Sequence, residues 1–315
     1  MEVVRNFPNV IVFHHDDADG IVAAYIIKKK YDNSLVDSDW DRNVTCISCS
    51  YGEKYNLQFF KDNVEENAVD ELQNVIYMVD YAIQPNEEMV KFWNWCKVMG
   101  YELVWIDHHI TAIENLAHYN IPGLVSIKNS GCMNTWNYLY SEEKSPMIVR
   151  YVNDFDIWNK KSQYSWEKTL YPLIYFFDSI DSNLNDNTNE LVQTLNACFT
   201  NNSNTENIVK IGQYIEKYVK RQYNKALRRI KEVEWNGLKC LLLNSSFKGS
   251  TQFDDYEGKD DADLMIAWSY DGKKYNYGVY STNPAIEVGN ICKTYLNGGG
   301  HKGAGGGSST DFIFS

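Results

Sequence analysis

Val10-Ile11-Val12-Phe13-His14-His15-Asp16-Asp17-Ala18-Asp19-Gly20 reads as a strand, a short polar loop and the entry to a helix. The unbroken apolar, β-branched run fits a strand buried on both faces, as in a parallel sheet. Gly20 then opens a turn into the helical stretch 21–30. The loop starts at a strand's carboxyl end, where open α/β sheets place their ligands. Acidic and imidazole groups packed so closely repel and are costly to desolvate unless something positive holds them. A divalent metal is the simplest such charge.

Two further runs repeat the pattern: Val75-Ile76-Tyr77-Met78-Val79 ending at Asp80, and Leu103-Val104-Trp105-Ile106 ending at Asp107-His108-His109. Between them, residues 85–99 predict a helix, with Pro85 at its start, Glu87 and Glu88 in the first turn and Gly100 just past its end. Strands alternating with helices predict an α/β fold with a doubly wound parallel sheet. In such a sheet the three strand ends share one edge, so their acidic and imidazole groups converge. Oxygen and nitrogen ligands without thiolate suit manganese, magnesium or iron. So many ligands suit two metals about 3.5–4 Å apart, sharing a bridging carboxylate and a bridging hydroxide for in-line attack on phosphorus. Five of the six histidines (His14, His15, His108, His109 and His301) fall in these motifs and in the glycine-rich C-terminal segment.

With 315 residues the chain has room for two domains. The net charge of −12 argues against a long electrostatic track for nucleic acid and leaves short phosphorylated ligands open. No secretion-like or membrane-spanning segment is read, and a cytoplasmic location is expected. Seven scattered cysteines are read as reduced core thiols, the Cys46–Cys49 spacing included. Residues 133–177 and 191–233 read as mostly helical and 178–189 as a boundary, while 238–243, 275–280 and 311–314 read as strands. Lys217, Arg221, Lys225 and Arg228 are taken as the solvated face of a helix. The tryptophans are taken as core, with Trp158 close to the site. The organisation read is a catalytic domain over 1–185, a helical connector over 186–235 and a small C-terminal α/β domain over 236–315.

His15-x-Asp17-x-Asp19-Gly20, the strand-ending Asp80, Asp107-His108-His109, Asn153-Asp154-Phe155-Asp156-Ile157-Trp158 and Gly298-Gly299-Gly300-His301-Lys302-Gly303 follow one another in the order of the DHH superfamily of metal-dependent phosphoesterases. The chain resembles that family, which includes RecJ-type exonucleases, oligoribonuclease-like enzymes and cyclic-dinucleotide phosphodiesterases. The resemblance implies that His15 and Asp17 hold one metal, Asp19, His108 and Asp154 the other, and that Asp80 bridges them, with Asp156 the alternative to Asp154. It also implies that His109 faces the substrate phosphate and Asp107 orients its neighbours. Gly299, Gly300, His301, Lys302, Gly303 and Ser281 would form a substrate-binding loop facing the metals across a cleft. Many relatives place an arginine just before that serine. Here Tyr280 stands in its place, able to stack a base but without a guanidinium.

The expected activity is metal-dependent hydrolysis of phosphodiester bonds in short oligonucleotides or dinucleotides. The expected cofactors are two divalent cations, manganese first and magnesium as the alternative. The partner is a short nucleic acid or nucleotide with no membrane involved, and a homodimer is kept as an option. The alternatives are a RecJ-type single-strand exonuclease, a cyclic-dinucleotide phosphodiesterase and a catalytically silent nucleotide sensor.

Overall fold

The computed structural model describes residues 8–31, 44–51, 54–70, 72–246, 249–300 and 302–314. The chain forms two compact units, 1–216 and 217–315.

In the first unit, β1 (Asn9–His15) leads into α1 (Ala18–Tyr31), followed by β2 (Val44–Cys49), α2 (Leu57–Asn67), β3 (Asn74–Val79), α3 (Asn86–Met99) and β4 (Glu102–Asp107). Then come α4 (Ile110–Leu116), β5 (Gly123–Val125), α5 (Gly131–Leu139), α6 (Met147–Asp156), α7 (Tyr171–Phe177), α8 (Glu190–Thr200) and α9 (Asn202–Leu227), whose last residues, from 217 on, belong to the second unit. The five strands are all parallel, in the order β2-β1-β3-β4-β5. This is a doubly wound sheet whose strand order reverses between β1 and β3, the point where such sheets form their ligand crevice. β2 and β5 are additional to the three strands expected there.

Alternation along each strand divides the core in two. Val10, Val12, Tyr77, Val79, Val104 and Ile106 pack with α1, α5 and α6. Ile11, Phe13, Ile76, Met78, Leu103 and Trp105 pack on the other face with α2 and α3. Helix α1 is buried from Ala18 to Lys28, as its unbroken apolar run Ile21 to Ile27 requires. Helix α3 ends at Gly100 in the left-handed conformation (φ 76°), its N–H reaching the Cys96 and Lys97 carbonyls, as its sequence predicts.

The second unit carries β6 (Lys231–Trp235), β7 (Leu238–Asn244), β8 (Leu264–Tyr270), β9 (Tyr275–Tyr280), α10 (Val288–Tyr295), β10 (Gly299–Gly300) and β11 (Ala304–Ser309). They form one mixed sheet in the order β10-β11-β9-β8-β7-β6. Three expectations are corrected here. The helix expected through residue 233 ends at Leu227, and 231–235 pairs with β7 instead. Residues 311–314 form no strand. The strand there is the glycine run itself, paired from Ala304↔Tyr280 to Ser309↔Tyr275, a case of cross-strand pairing overriding poor intrinsic propensity. All seven cysteines are free and buried. No helix among the described residues is long and apolar enough to cross a membrane.

At Gly20 a Cβ would lie 2.2 Å from the His15 carbonyl oxygen. The start of α1 therefore approaches the end of β1 as closely as only glycine permits. Gly20→Ala is expected to lower the unfolding free energy by about 1–3 kcal/mol, read from the denaturant midpoint; an unchanged midpoint would contradict this packing.

Candidate metal centre

His15 ends β1, and its Nδ1 lies 2.7 Å from Asp17 Oδ2. Asp17 Oδ1 accepts the Gly20 N–H at 3.0 Å. Burial opposes ionisation of Asp17, but the His15 contact and the Gly20 amide outweigh it and hold the carboxyl below its usual range. Asp19, almost fully buried in the first turn of α1, accepts the backbone N–H groups of Gly131 at 2.6 Å and Cys132 at 3.0 Å. Those amides are the first of α5, so the positive end of that helix meets the carboxylate. A Cβ on Gly131 would stand 2.6 Å from Asp80 Cβ and 3.0 Å from Asp19 Oδ2. A side chain at position 131 would push the helix away from the cluster.

Asp80 follows β3 in a left-handed backbone conformation (φ 53°), its N–H held by the Ile106 carbonyl. Its Oδ1 lies 3.2 Å from His108 Nε2 and 3.9 Å from His109 Nδ1. Asp156 Oδ2 lies 3.2 Å from the same His108 nitrogen, and Asp19 Oδ2 3.9 Å from it. Asp107 is fully buried beneath the pair of histidines. Its Oδ1 accepts the His108 N–H at 2.7 Å, the His109 N–H at 3.2 Å and the His109 ring at Nδ1 at 2.8 Å. That set of bonds fixes the backbone of both histidines and orients the His109 ring.

The charges are mutually destabilising. Burial first, and then the charges of Asp19, Asp17, Asp156 and Asp107, push the Asp80 carboxyl well above the carboxylate range. Burial and the charges of Asp19 and Asp17 raise Asp156 to about 8. Burial lowers His108. At His109 burial also acts downward, but the Asp107 hydrogen bond and charge prevail and raise it. Asp80 Oδ1 and Asp156 Oδ2 are buried without a hydrogen-bond partner. Orphaned carboxylate oxygens facing a neutral imidazole fit a divalent cation. Three sets of donors, each within 4.8 Å of one another, recur around them: His15, Asp17 and Asp80; Asp80, His108 and His109; Asp19, His108 and Asp156.

The structure thus brings together His15, Asp17, Asp19, Asp80, Asp107, His108 and His109. It does not bring Asp154 to them: that carboxylate takes hydrogen bonds from Asn159 at 3.0 Å, Asn153 at 3.3 Å and Ser162 at 2.5 Å. Asp156 occupies the place expected of Asp154. Residues two apart on a helix point roughly 200° apart, so one face of α6 cannot offer both. His14 is buried, its Nδ1 2.8 Å from the His15 carbonyl oxygen, and it lies apart from the donor sets.

In the second unit, Gly299 and Gly300 pair with Gly306 and Gly305, and a Cβ on Gly300 (φ 150°) would meet the Ala304 carbonyl at 2.4 Å. Lys302 is exposed, with Nζ 3.3 Å from Glu287 Oε1. Ser281 donates its N–H to the Gly303 carbonyl and its hydroxyl to the Asp263 carbonyl. Tyr280 uses its hydroxyl to accept the Gly249 N–H at 2.8 Å. His301 lies outside the described residues.

Tyr51 escaped the sequence reading. It stacks on buried Tyr81 at 5.0 Å and 23°, and its ring lies 5.4 Å from that of His15. No spacing in the sequence links it to the motifs.

No protein-family model matches the chain. An uncharacterised protein of Acanthamoeba polyphaga mimivirus is 24% identical over 321 residues, covering 95% of this chain and 66% of that protein, so the chain spans just under two thirds of its relative. Among solved structures, the DHH domain of a member of a ribosomal-protein family superposes with a TM-score of 0.58 at 16% identity, over 95% of this chain and 82% of that one. RecJ of Thermus thermophilus in complex with Mn2+ superposes with a TM-score of 0.53 at 14% identity, over 98% of this chain and 50% of that one. The α/β fold of this chain, with its parallel sheet in 2-1-3-4-5 order, is accordingly similar in overall architecture to the DHH domain and to RecJ.

Proposed function

We propose that the chain is a metal-dependent phosphodiesterase acting on short oligonucleotides or dinucleotides, with two divalent cations, manganese or magnesium, as cofactors. The observation that carries this is the convergence of Asp80 and Asp156 on His108 Nε2, each at 3.2 Å, with a carboxylate oxygen left unsatisfied on each aspartate. In this reading His15 and Asp17 hold one cation, Asp19, His108 and Asp156 hold the other, and Asp80 is shared. When bound, the cations supply Lewis acidity at the phosphoryl group and at the attacking water.

The protein's own residues orient and exclude. Asp107 takes up His109 Nδ1, which leaves Nε2 as the free ring nitrogen. The raised proton affinity of His109 suits it to donate from Nε2 to a phosphoryl oxygen as charge develops there. The Gly131 and Cys132 amides hold Asp19 in place. In the second unit, the side-chain-free backbone at Gly299, Gly300 and Gly303, with Lys302, is the proposed nucleotide-binding loop; His301 belongs to it by sequence. The net charge of −12 favours short substrates over long strands.

A manganese-supplemented turnover panel of dinucleotides, short oligomers, long single strands and cyclic dinucleotides tests the reading. Hydrolysis is expected to be fastest on the first two, and failure to hydrolyse any of them overturns the proposal. Asp156→Asn is expected to lose manganese binding measured by calorimetry, and Asp154→Asn to keep it; the opposite result would return Asp154 to the site. Asp107→Asn should cost about 10–100-fold in metal affinity or activity.

The electrostatics also predict a pH dependence of stability without metal. A carboxyl whose folded pKa is raised to about 8 contributes stability that is complete below its unfolded value near 4 and lost as pH rises through 8. His108, lowered by burial, acts in the opposite sense only below about pH 6.5. The thermal midpoint of the EDTA-treated protein should therefore fall between about pH 6.5 and about pH 8. Manganese should restore it, more strongly at the higher pH, and Asp156→Asn should flatten the fall. A midpoint independent of pH and of metal would contradict the buried cluster.

A further inference from the structure

Helix α6 ends in a cap of unusual composition. The Trp158 N–H binds the Phe155 carbonyl at 3.1 Å and the Asn159 N–H binds the Asp154 carbonyl at 3.0 Å. This is the double hydrogen bond of a Schellman motif, whose left-handed position normally holds glycine. Here it holds Trp158, at φ 53°. A bulky residue in that region is strained, and strain of this kind persists where the surroundings impose it and clusters at functional sites. Burial does not account for the tryptophan, because its side chain is 60% exposed.

The exposed ring is nonetheless held firmly. It stacks on Trp166 at 5.5 Å and 19° and on Phe155 at 6.2 Å and 28°. Trp166 is itself anchored by its indole N–H on the Asn159 carbonyl at 3.2 Å. Lys160 Nζ lies 4.5 Å from the Trp158 ring and 3.8 Å from that of Trp166. It makes no ion pair among the described residues, in a chain of net charge −12. Two peptide units separate Trp158 from Asp156, about 7 Å at most between Cα atoms, and Asp156 reaches the His108 nitrogen.

We propose that Trp158, backed by Trp166 and flanked by Lys160, is a stacking platform for an unpaired nucleobase of the substrate, beside the phosphate held at the aspartate–histidine cluster. This rests on the phosphodiesterase reading and narrows its substrate class to nucleic acids with an exposed base. Stacking on an aromatic face is tolerant of base identity and strong enough to order a flexible substrate. The adjacent ammonium meets the strand's phosphate charge. A platform ordered before binding avoids the entropy of arranging it afterwards.

The cap makes the role separable from folding. Trp158→Gly places the preferred residue at the left-handed position, so the thermal midpoint is not expected to fall. Binding is measured by fluorescence anisotropy with labelled tetrathymidylate and with an abasic oligonucleotide of the same length and charge, in calcium to slow turnover. Wild type should prefer the base-bearing strand by about tenfold. Trp158→Gly should erase that preference, and Trp158→Phe should restore most of it. The inference is overturned if wild type binds both strands equally, if Trp158→Gly keeps the preference, or if it weakens both strands alike. Manganese-dependent hydrolysis of tetrathymidylate by wild type is measured alongside. Its absence would sink the phosphodiesterase reading, while the binding comparison still decides the platform.

Discussion

Carboxylates withdrawn from water beside one another are the constraint on which this protein turns. Asp19, Asp80 and Asp107 are almost completely buried at one edge of a parallel sheet, with Asp17 and Asp156 partly so. In isolation such a cluster would repel itself apart or take up protons. The fold answers in different ways at different positions. Asp19 receives two amides from the start of α5, and Asp107 spends one oxygen on two backbone amides and a ring nitrogen. The carboxylates of Asp80 and Asp156 accept no backbone amide among the described residues, and their orphaned oxygens, like the second oxygen of Asp107, call for positive charge from outside the chain.

That division follows from topology. The order 2-1-3-4-5 opens a crevice between β1 and β3. The ends of β1, β3 and β4 then deliver His15, Asp80 and Asp107-His108-His109 to one place without any loop having to reach across the sheet. Two glycines make the approach tight enough. Gly20 lets α1 begin against the end of β1, and Gly131 lets α5 present its amides beside Asp19 and Asp80. The left-handed backbone at Asp80 turns its side chain out of the strand line and over His108. The left-handed backbone at Asp80, within the cluster itself, suits a site held in one arrangement by its supports.

The first unit was largely legible from sequence because its signals are local. Buried parallel strands are short apolar runs, and Pro85, the glutamates of its first turn and Gly100 bound α3 without ambiguity. The second unit was less legible. Its glycine strand has no propensity of its own and exists because β9 offers a row of partners. The segment after Leu227 has helical spacing but is claimed by β7 as an edge strand. The choice between Asp154 and Asp156 could not be made from spacing, since both lie in one motif and only the rotation of α6 decides which faces His108.

Residue order alone therefore determined which chemical groups this protein brings to its sheet edge, because strand, turn and helix signals close by in the chain place each motif at a strand's carboxyl end. Tertiary structure decided which of those groups meet, which carboxylate oxygens stay unsatisfied, and that Tyr51 borders the cluster. Those facts depend on the rotation and close approach of elements far apart in the chain, and no local pattern encodes such distances.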